Sequence, residues 1–225
     1  MAIPDALPAS QAVLAVCAHP DDESFGLGAI IAAYTDRGTP VDLVCLTRGE
    51  ASTLGNDPHA SLADTRSSEL AAATHVLGIR THIVDSFPDG ALPTVRLELL
   101  AVSIQRAAAG RIDTLLVFDD TGITGHPDHE QATRAALLVA DRLDLAVLAW
   151  ALPDTLARTL NAEFGTRFVG RAPGELDLCV RVERTRQWDA IRCHHSQLHD
   201  NPVPARRLAL TGATEHLRYL RRRSA

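Results

Sequence analysis

Not one of the 225 residues is lysine: all 22 basic side chains are arginine. That absence removes every chemistry needing a side-chain amine, including the lysine of phosphate-binding P-loops and the Schiff base of aldolases and pyridoxal enzymes. Paired cysteines are missing too. Cys17, Cys45, Cys179 and Cys193 form no CxxC pair, and the first two lie inside apolar runs, where reduced cysteine behaves as a small hydrophobe. No disulfide framework is expected. The opening MAIPDALPAS has an acid and two prolines where a secretory signal needs a basic end and an apolar run, and no later stretch has the length of a membrane span. A cytoplasmic protein without membrane contact is expected. Linkers, low-complexity tracts and fixed-period repeats are absent, which implies one domain over 1–225, its core spanning about 12–197. A net charge of −6 argues against general nucleic-acid binding, although arginine is concentrated over about 205–225. That tail reads as a solvated terminal helix whose arginines suit the negative end of its dipole.

What is present is a large hydrophobic fraction, 46%, arranged in a rhythm. Apolar runs of strand length (AVLAVCA, VDLVCLT, THIVD, DTLLVF, LAVLAW) alternate with helical patterns such as LGAIIAAYTDRG, DTRSSELAAATHVLG and VRLELLAVSIQRAAAG. Strands apolar throughout are buried on both faces, so the expected fold class is α/β: a Rossmann-like, mostly parallel sheet with helices on both faces. Gly38, Gly78 and Gly110 sit where the first three helices should stop. Beyond about residue 152 the rhythm loosens, with FVGRAPGELDLCVRV reading as short strands and ERTRQWDAIRCHH as a helix.

Two loops break ordinary turn chemistry. HPDDE (19–23) and GHPDHE (125–130) each follow a strand and open a helix, at the strand ends where open α/β sheets bind ligands. His19, Asp22 and His129 form a two-histidine, one-carboxylate set of the kind that holds a catalytic zinc with a position left open. The competing reading is helix capping: Asp21, Asp22 and Ser24 would cap one helix, Pro127 would begin another, and Asp128 and Glu130 would favour its positive end. Two such loops at equivalent strand ends favour the metal site. Asp21 would then be free to act as general base, and His126 could face the site with Asp128 fixing its tautomer or holding it protonated.

AHPDDE, LTRGE, the DxxGxxGHPDH pattern and HHSQ together resemble the PIG-L/LmbE family of zinc-dependent N-deacetylases, the likeness running from residue 12 to about 197. The resemblance implies a Rossmann-like fold and hydrolysis of an N-acetyl group from an N-acetylglucosaminyl-type small molecule. It makes His19, Asp22 and His129 the ligands of one zinc ion, Asp21 the base and His126 the oxyanion-stabilising histidine. It also puts Arg66 and Asp89 on sugar hydroxyls, against surface-pair and Asp-Gly-turn readings of equal weight. Arg48 and Glu50 would shape the pocket loop or pair with each other, and His194 would approach the pocket without being a ligand. The other histidines, at 59, 75, 82, 199 and 216, lack ligand spacing. The alternatives are hydrolysis of another amide or ester at the same metal, or non-catalytic metal or sugar binding. An oligomer remains open.

Overall fold

A computed structural model of the chain describes residues 6–54, 61–198 and 201–224; His59 and His199 lie outside them. Five strands follow one another in parallel: β1 (Val13–Cys17), β2 (Val41–Thr47), β3 (Thr81–Phe87), β4 (Thr114–Phe118) and β5 (Ala146–Ala151). Every residue of β1, β2 and β4 is buried, as largely apolar runs require, whereas β3, at the sheet edge, has no buried residue and departs from the expectation of cover on both faces. Neighbouring positions serve opposite faces. Ala15 and Cys17 of β1 join a core with Ile30, Ile31 and Leu70, whereas Leu14 and Val16 join a second core with Leu100, Ile104 and Val139. The first core is covered by α2 (Gly28–Asp36) and α3 (Leu62–Leu77), the second by α4 (Leu97–Ala107) and α5 (Pro127–Leu143).

The order across the sheet is β3-β2-β1-β4-β5 followed by two antiparallel pairings, β5 with β7 (Thr214–Arg221) and β7 with β6 (Leu178–Arg181). The chain leaves β1 toward β2 and leaves β4 toward β5, in opposite directions. The crevice beyond the ends of β1 and β4 is therefore the switch point at which such sheets bind ligands.

The C-terminal segment departs from its expectation. It is neither a tail nor a terminal helix: α9 (Val203–Thr211) leads into β7, which lies inside the sheet. Glu215 and Leu217 turn inward at the period of a strand. Its arginines are held by partners distant in sequence: Arg218 meets Asp119, and Arg221 meets Asp141 and Asp144. Segment 168–182 holds one strand, β6, and α4 ends three residues before Gly110. No disulfide joins the cysteines, and no described helix is long and apolar enough to cross a membrane.

Candidate active site

Asp22 opens the four-residue helix α1 (Asp22–Phe25) but does not cap it. Its Oδ2 turns back to accept the N–H groups of Ala18 (3.0 Å) and His19 (2.9 Å), which aims Oδ1 across the crevice to 3.2 Å from His129 Nε2. His19 Nδ1 lies 3.2 Å from that same nitrogen and 3.8 Å from Asp22 Oδ2. The three donors thus converge from the end of β1 and the first turn of α5. A tetrahedral zinc with bonds of about 2.0–2.1 Å has ligand-to-ligand edges of roughly 3.3 Å, close to the two 3.2 Å separations that meet at His129 Nε2. The far ring nitrogens are committed. His129 Nδ1 is 3.0 Å from the Gly122 carbonyl and from Thr124 Oγ1, and His19 Nε2 is 3.1 Å from Asp89 Oδ1 and 3.4 Å from Asp128 Oδ2. Such partners fix the tautomer that leaves the inward nitrogen free for a metal, and the donor set fits zinc.

The local charges also suit a cation. Burial would lower the His19 imidazole, but hydrogen bonds to Asp128 and Asp89 and the charges of Asp22 and Asp21 hold it up at about 10. Burial would raise the Asp22 carboxyl, yet His129 and His19 outweigh it and keep it below the usual carboxylate range. A dication among these acids takes the place of the imidazolium proton.

Asp21 stands at φ 132°, a conformation that costs a non-glycine residue of order 1–3 kcal/mol. One local and one distant side chain hold it there: its N–H donates to Glu23 Oε2 at 3.0 Å, and its Oδ2 accepts from Arg66 at 2.9 Å. Burial pushes the Asp21 carboxyl up to about 6 against the pull of Arg66. Glu23 is itself buried against His194, whose Nε2 lies 2.7 Å from Glu23 Oε1. His194 is therefore not among the three converging donors; it sits one layer beneath Asp21.

Arg66, 3% exposed, reaches from α3 to the carbonyls of Gly49 and Pro20 as well as to Asp21. Gly49 leaves the room for it: a Cβ there would stand 2.1 Å from the guanidinium. Asp89 accepts from Ala51 N at 2.8 Å in addition to meeting His19. Both residues line the cavity, but both are already engaged within the protein. Glu69, three residues along α3, accepts from Ser196 rather than pairing with Arg66. Arg48 pairs with Asp64, and Glu50 accepts the N–H of Asp89.

Asp128 also has a different partner from the one expected. Its carboxylate accepts the N–H groups of Gly90 (2.8 Å) and Leu92 (3.0 Å) and meets His19, so it does not charge His126. His126 is the N-cap of α5, its Nδ1 accepting from Asp128 N at 3.2 Å, which leaves the proton on Nε2. Burial and the neighbouring His19 and His129 lower its pKa and keep it neutral.

His19, Asp21, Asp22, Arg66, Asp89, His126 and His129 face one cavity of about 410 Å³. Its other wall is aromatic, from Phe25, Phe118, Trp150 and Phe168, with Phe118 edge-on to His129 at 4.7 Å between ring centres. Neither this wall nor the contact of Glu23 with Asp21 and His194 is readable from local pattern; Glu23 is marked only by following Asp21 and Asp22 in HPDDE.

Residues 14–140 match the family described as PIG-L, GlcNAc-PI de-N-acetylase. Over 214 residues, 93% of this chain and 92% of the relative, the sequence is 29% identical to a probable N-acetyl-α-D-glucosaminyl L-malate deacetylase 2 of Bacillus anthracis. A 1D-myo-inositol 2-acetamido-2-deoxy-α-D-glucopyranoside deacetylase of Streptomyces griseus subsp. griseus is 34% identical over 177 residues, 68% of this chain and 55% of the relative. The chain thus spans about half the length of that protein. Among solved structures, the pseudoaglycone deacetylase Dbv21 superposes with a TM-score of 0.73 at 21% identity, covering 96% of this chain and 99% of its own. The 4-carboxy-2-hydroxymuconate hydratase GalB superposes at 0.67 with 18% identity, covering 95% and 97%. Likenesses this distant show the fold, and the fold does not choose between the two reactions.

Proposed function

The chain belongs to the PIG-L family of GlcNAc-PI de-N-acetylases, and on that premise we propose that it hydrolyses the N-acetyl group of an N-acetylglucosaminyl-type small molecule, releasing acetate and an amine. One observation carries the reading: three metal-type donors converge beside a fourth, separately held carboxylate on the wall of a single cavity.

His19 Nδ1, Asp22 Oδ1 and His129 Nε2 would hold one zinc ion. When bound, it supplies Lewis acidity toward the amide carbonyl and toward water. Asp21 is the general base. Arg66 holds its Oδ2, which leaves Oδ1 to take a proton from the attacking water. His126, neutral with its proton on Nε2, donates to the carbonyl oxygen as that oxygen gains charge. The proton held by Asp21 then passes to the nitrogen, which departs as an amine. Asp89 and Asp128 keep His19 oriented, and the aromatic wall excludes water from the far side.

A purely binding role for the site is disfavoured by Asp21 itself, because a binding protein has no use for a strained carboxylate set apart from the three donors. Amine release from N-acetylglucosaminides of differing aglycone by the zinc-loaded chain tests the reading. Turnover by the parent with loss in Asp21→Asn at unchanged zinc content supports it. Zinc binding without amine release from any of them overturns it.

A further inference from the structure

The end of the cavity carrying Trp150 holds a charge for which the deacetylation chemistry has no use. Val203, Pro204 and Arg207, on one face of α9, line it. Arg207 is 3% exposed, and its guanidinium carbon lies 4.9 Å from the centre of the Trp150 ring. Two acceptors meet its five N–H donors: Glu215 Oε1 at 3.2 Å and the Phe25 carbonyl at 2.6 Å.

Glu215 is already shared. Its Oε1 also accepts from Arg184 at 2.6 Å, and its Oε2 accepts the Trp150 indole N–H at 2.9 Å. Arg184 is otherwise saturated by Gly212, Gln187, Thr211 and Thr214. The next residue, His216, is kept neutral by burial. A buried guanidinium, Arg207, and a half-buried one, Arg184, therefore face one buried carboxylate, and among the described residues no second acid meets Arg207. A buried, unmatched positive charge is costly unless an anion accompanies it. The three acids that line the cavity, Asp21, Asp22 and Asp89, all gather around His19 and Arg66, so the surroundings of His19 and those of Arg207 carry opposite needs.

We propose that Arg207 forms an anion subsite that recognises a carboxylate or phosphate on the aglycone of the substrate, at the end away from the amide. The inference rests on the N-acetylglucosaminide reading only for which part of the substrate lies where. An acetyl group carries no charge, so the anion belongs to the aglycone. The aromatic lining contributed by Phe25, Trp150 and Phe168 then receives the carbon skeleton that bears it.

Three glycosides of N-acetylglucosamine test this on the full, zinc-loaded chain: the methyl glycoside, the glycolate (carboxymethyl) glycoside and the glycerol-phosphate glycoside. The charged probes should be preferred over the methyl glycoside by about 10-fold or more in kcat/KM, the preference residing in KM, as expected for a charge-assisted hydrogen bond. Which of the two leads identifies the anion as carboxylate or phosphate. The charged-to-neutral ratio should fall toward 1 in Arg207→Gln and be partly kept in Arg207→Lys. Equal kcat/KM for all three in the parent overturns the subsite while leaving the deacetylase reading intact, and needs no variant. Calorimetric binding to Asp21→Asn provides a readout without turnover. Tighter binding of a charged probe in the absence of amine release by the parent keeps the subsite and overturns the deacetylase reading. Equal binding of all three, or of none, overturns the subsite.

Discussion

Replacing Arg66 by methionine removes the cation that holds Asp21 ionised. The ion pair is 2.9 Å long, and its side chains are 4% and 17% exposed, so solvent screens it little. Losing an arginine at that distance raises a carboxyl pKa by about 1–3 units. Asp21 starts at about 6; it would move to about 7–9, and the ionised fraction at pH 7 would fall from roughly nine-tenths to between one-half and one-hundredth. If Asp21 is the base, kcat/KM at pH 7 falls about 2- to 100-fold and recovers as the pH is raised past the new value. A dication held by His19, Asp22 and His129 would lower Asp21 in parent and variant alike, so the displacement between the two acid limbs is the quantity to read. The substitution also breaks a buried pair, at a cost of about 3–5 kcal/mol; circular dichroism and Arg66→Lys, which retains charge, separate misfolding from titration. Full pH profiles of kcat/KM for the three proteins provide the assay. A raised KM at every pH with an unmoved acid limb would refute the argument and return Arg66 to a sugar-binding role.

His19→Ala, Asp22→Ala and His129→Ala should each lose most bound zinc by metal analysis, together with the rise in melting temperature that zinc gives the parent, whereas Asp21→Asn should keep both while turnover drops by about 10² to 10⁴. Asp119 is buried; burial raises its carboxyl, but hydrogen bonds from Arg171 outweigh it and lower the pKa. The stabilisation is then complete above the ordinary carboxylate range near 4 and is lost as the pH falls through the lowered value. The melting temperature of the parent should fall on acidification below about 4 more steeply than that of Asp119→Asn, which starts lower at pH 7; parallel curves would sink the assignment. At Gly26 a Cβ would stand 2.5 Å from the Phe118 ring and 3.0 Å from Trp150. Gly26→Ala should cost about 1–3 kcal/mol in denaturant unfolding, and Phe118→Leu in the same chain should relieve part of that cost, strict additivity of the two being the contrary result.

The elements that local pattern decides were legible from the residues alone. Strands β1, β2 and β4 fall on largely apolar runs because both faces of each are covered, whereas β3, at the sheet edge, is exposed or half-buried at every position and was marked only by THIVD. The two histidine loops were legible for a related reason: acids and imidazoles at the ends of such runs oppose the pattern around them. Even the placement of His19, Asp22 and His129 near one another follows from two strand ends meeting at a switch point.

What the pattern could not carry is which distant group each charge meets. Arg66 and Asp21 are 45 residues apart, Asp128 and Gly90 are 38 apart, and Arg207 and the Phe25 carbonyl are 182 apart. The C-terminal segment shows the same limit, since its arginines suit a solvated helix end until Asp119, Asp141 and Asp144 are brought beside them and β7 enters the sheet. Hydrophobic period is a local property, so the chain by itself determined the layers, the strand ends and the chemistry gathered there. Pairing of buried charges depends on which strands and helices become neighbours, so only the tertiary structure decided that Arg66 holds the Asp21 carboxylate and that Arg207 faces the cavity.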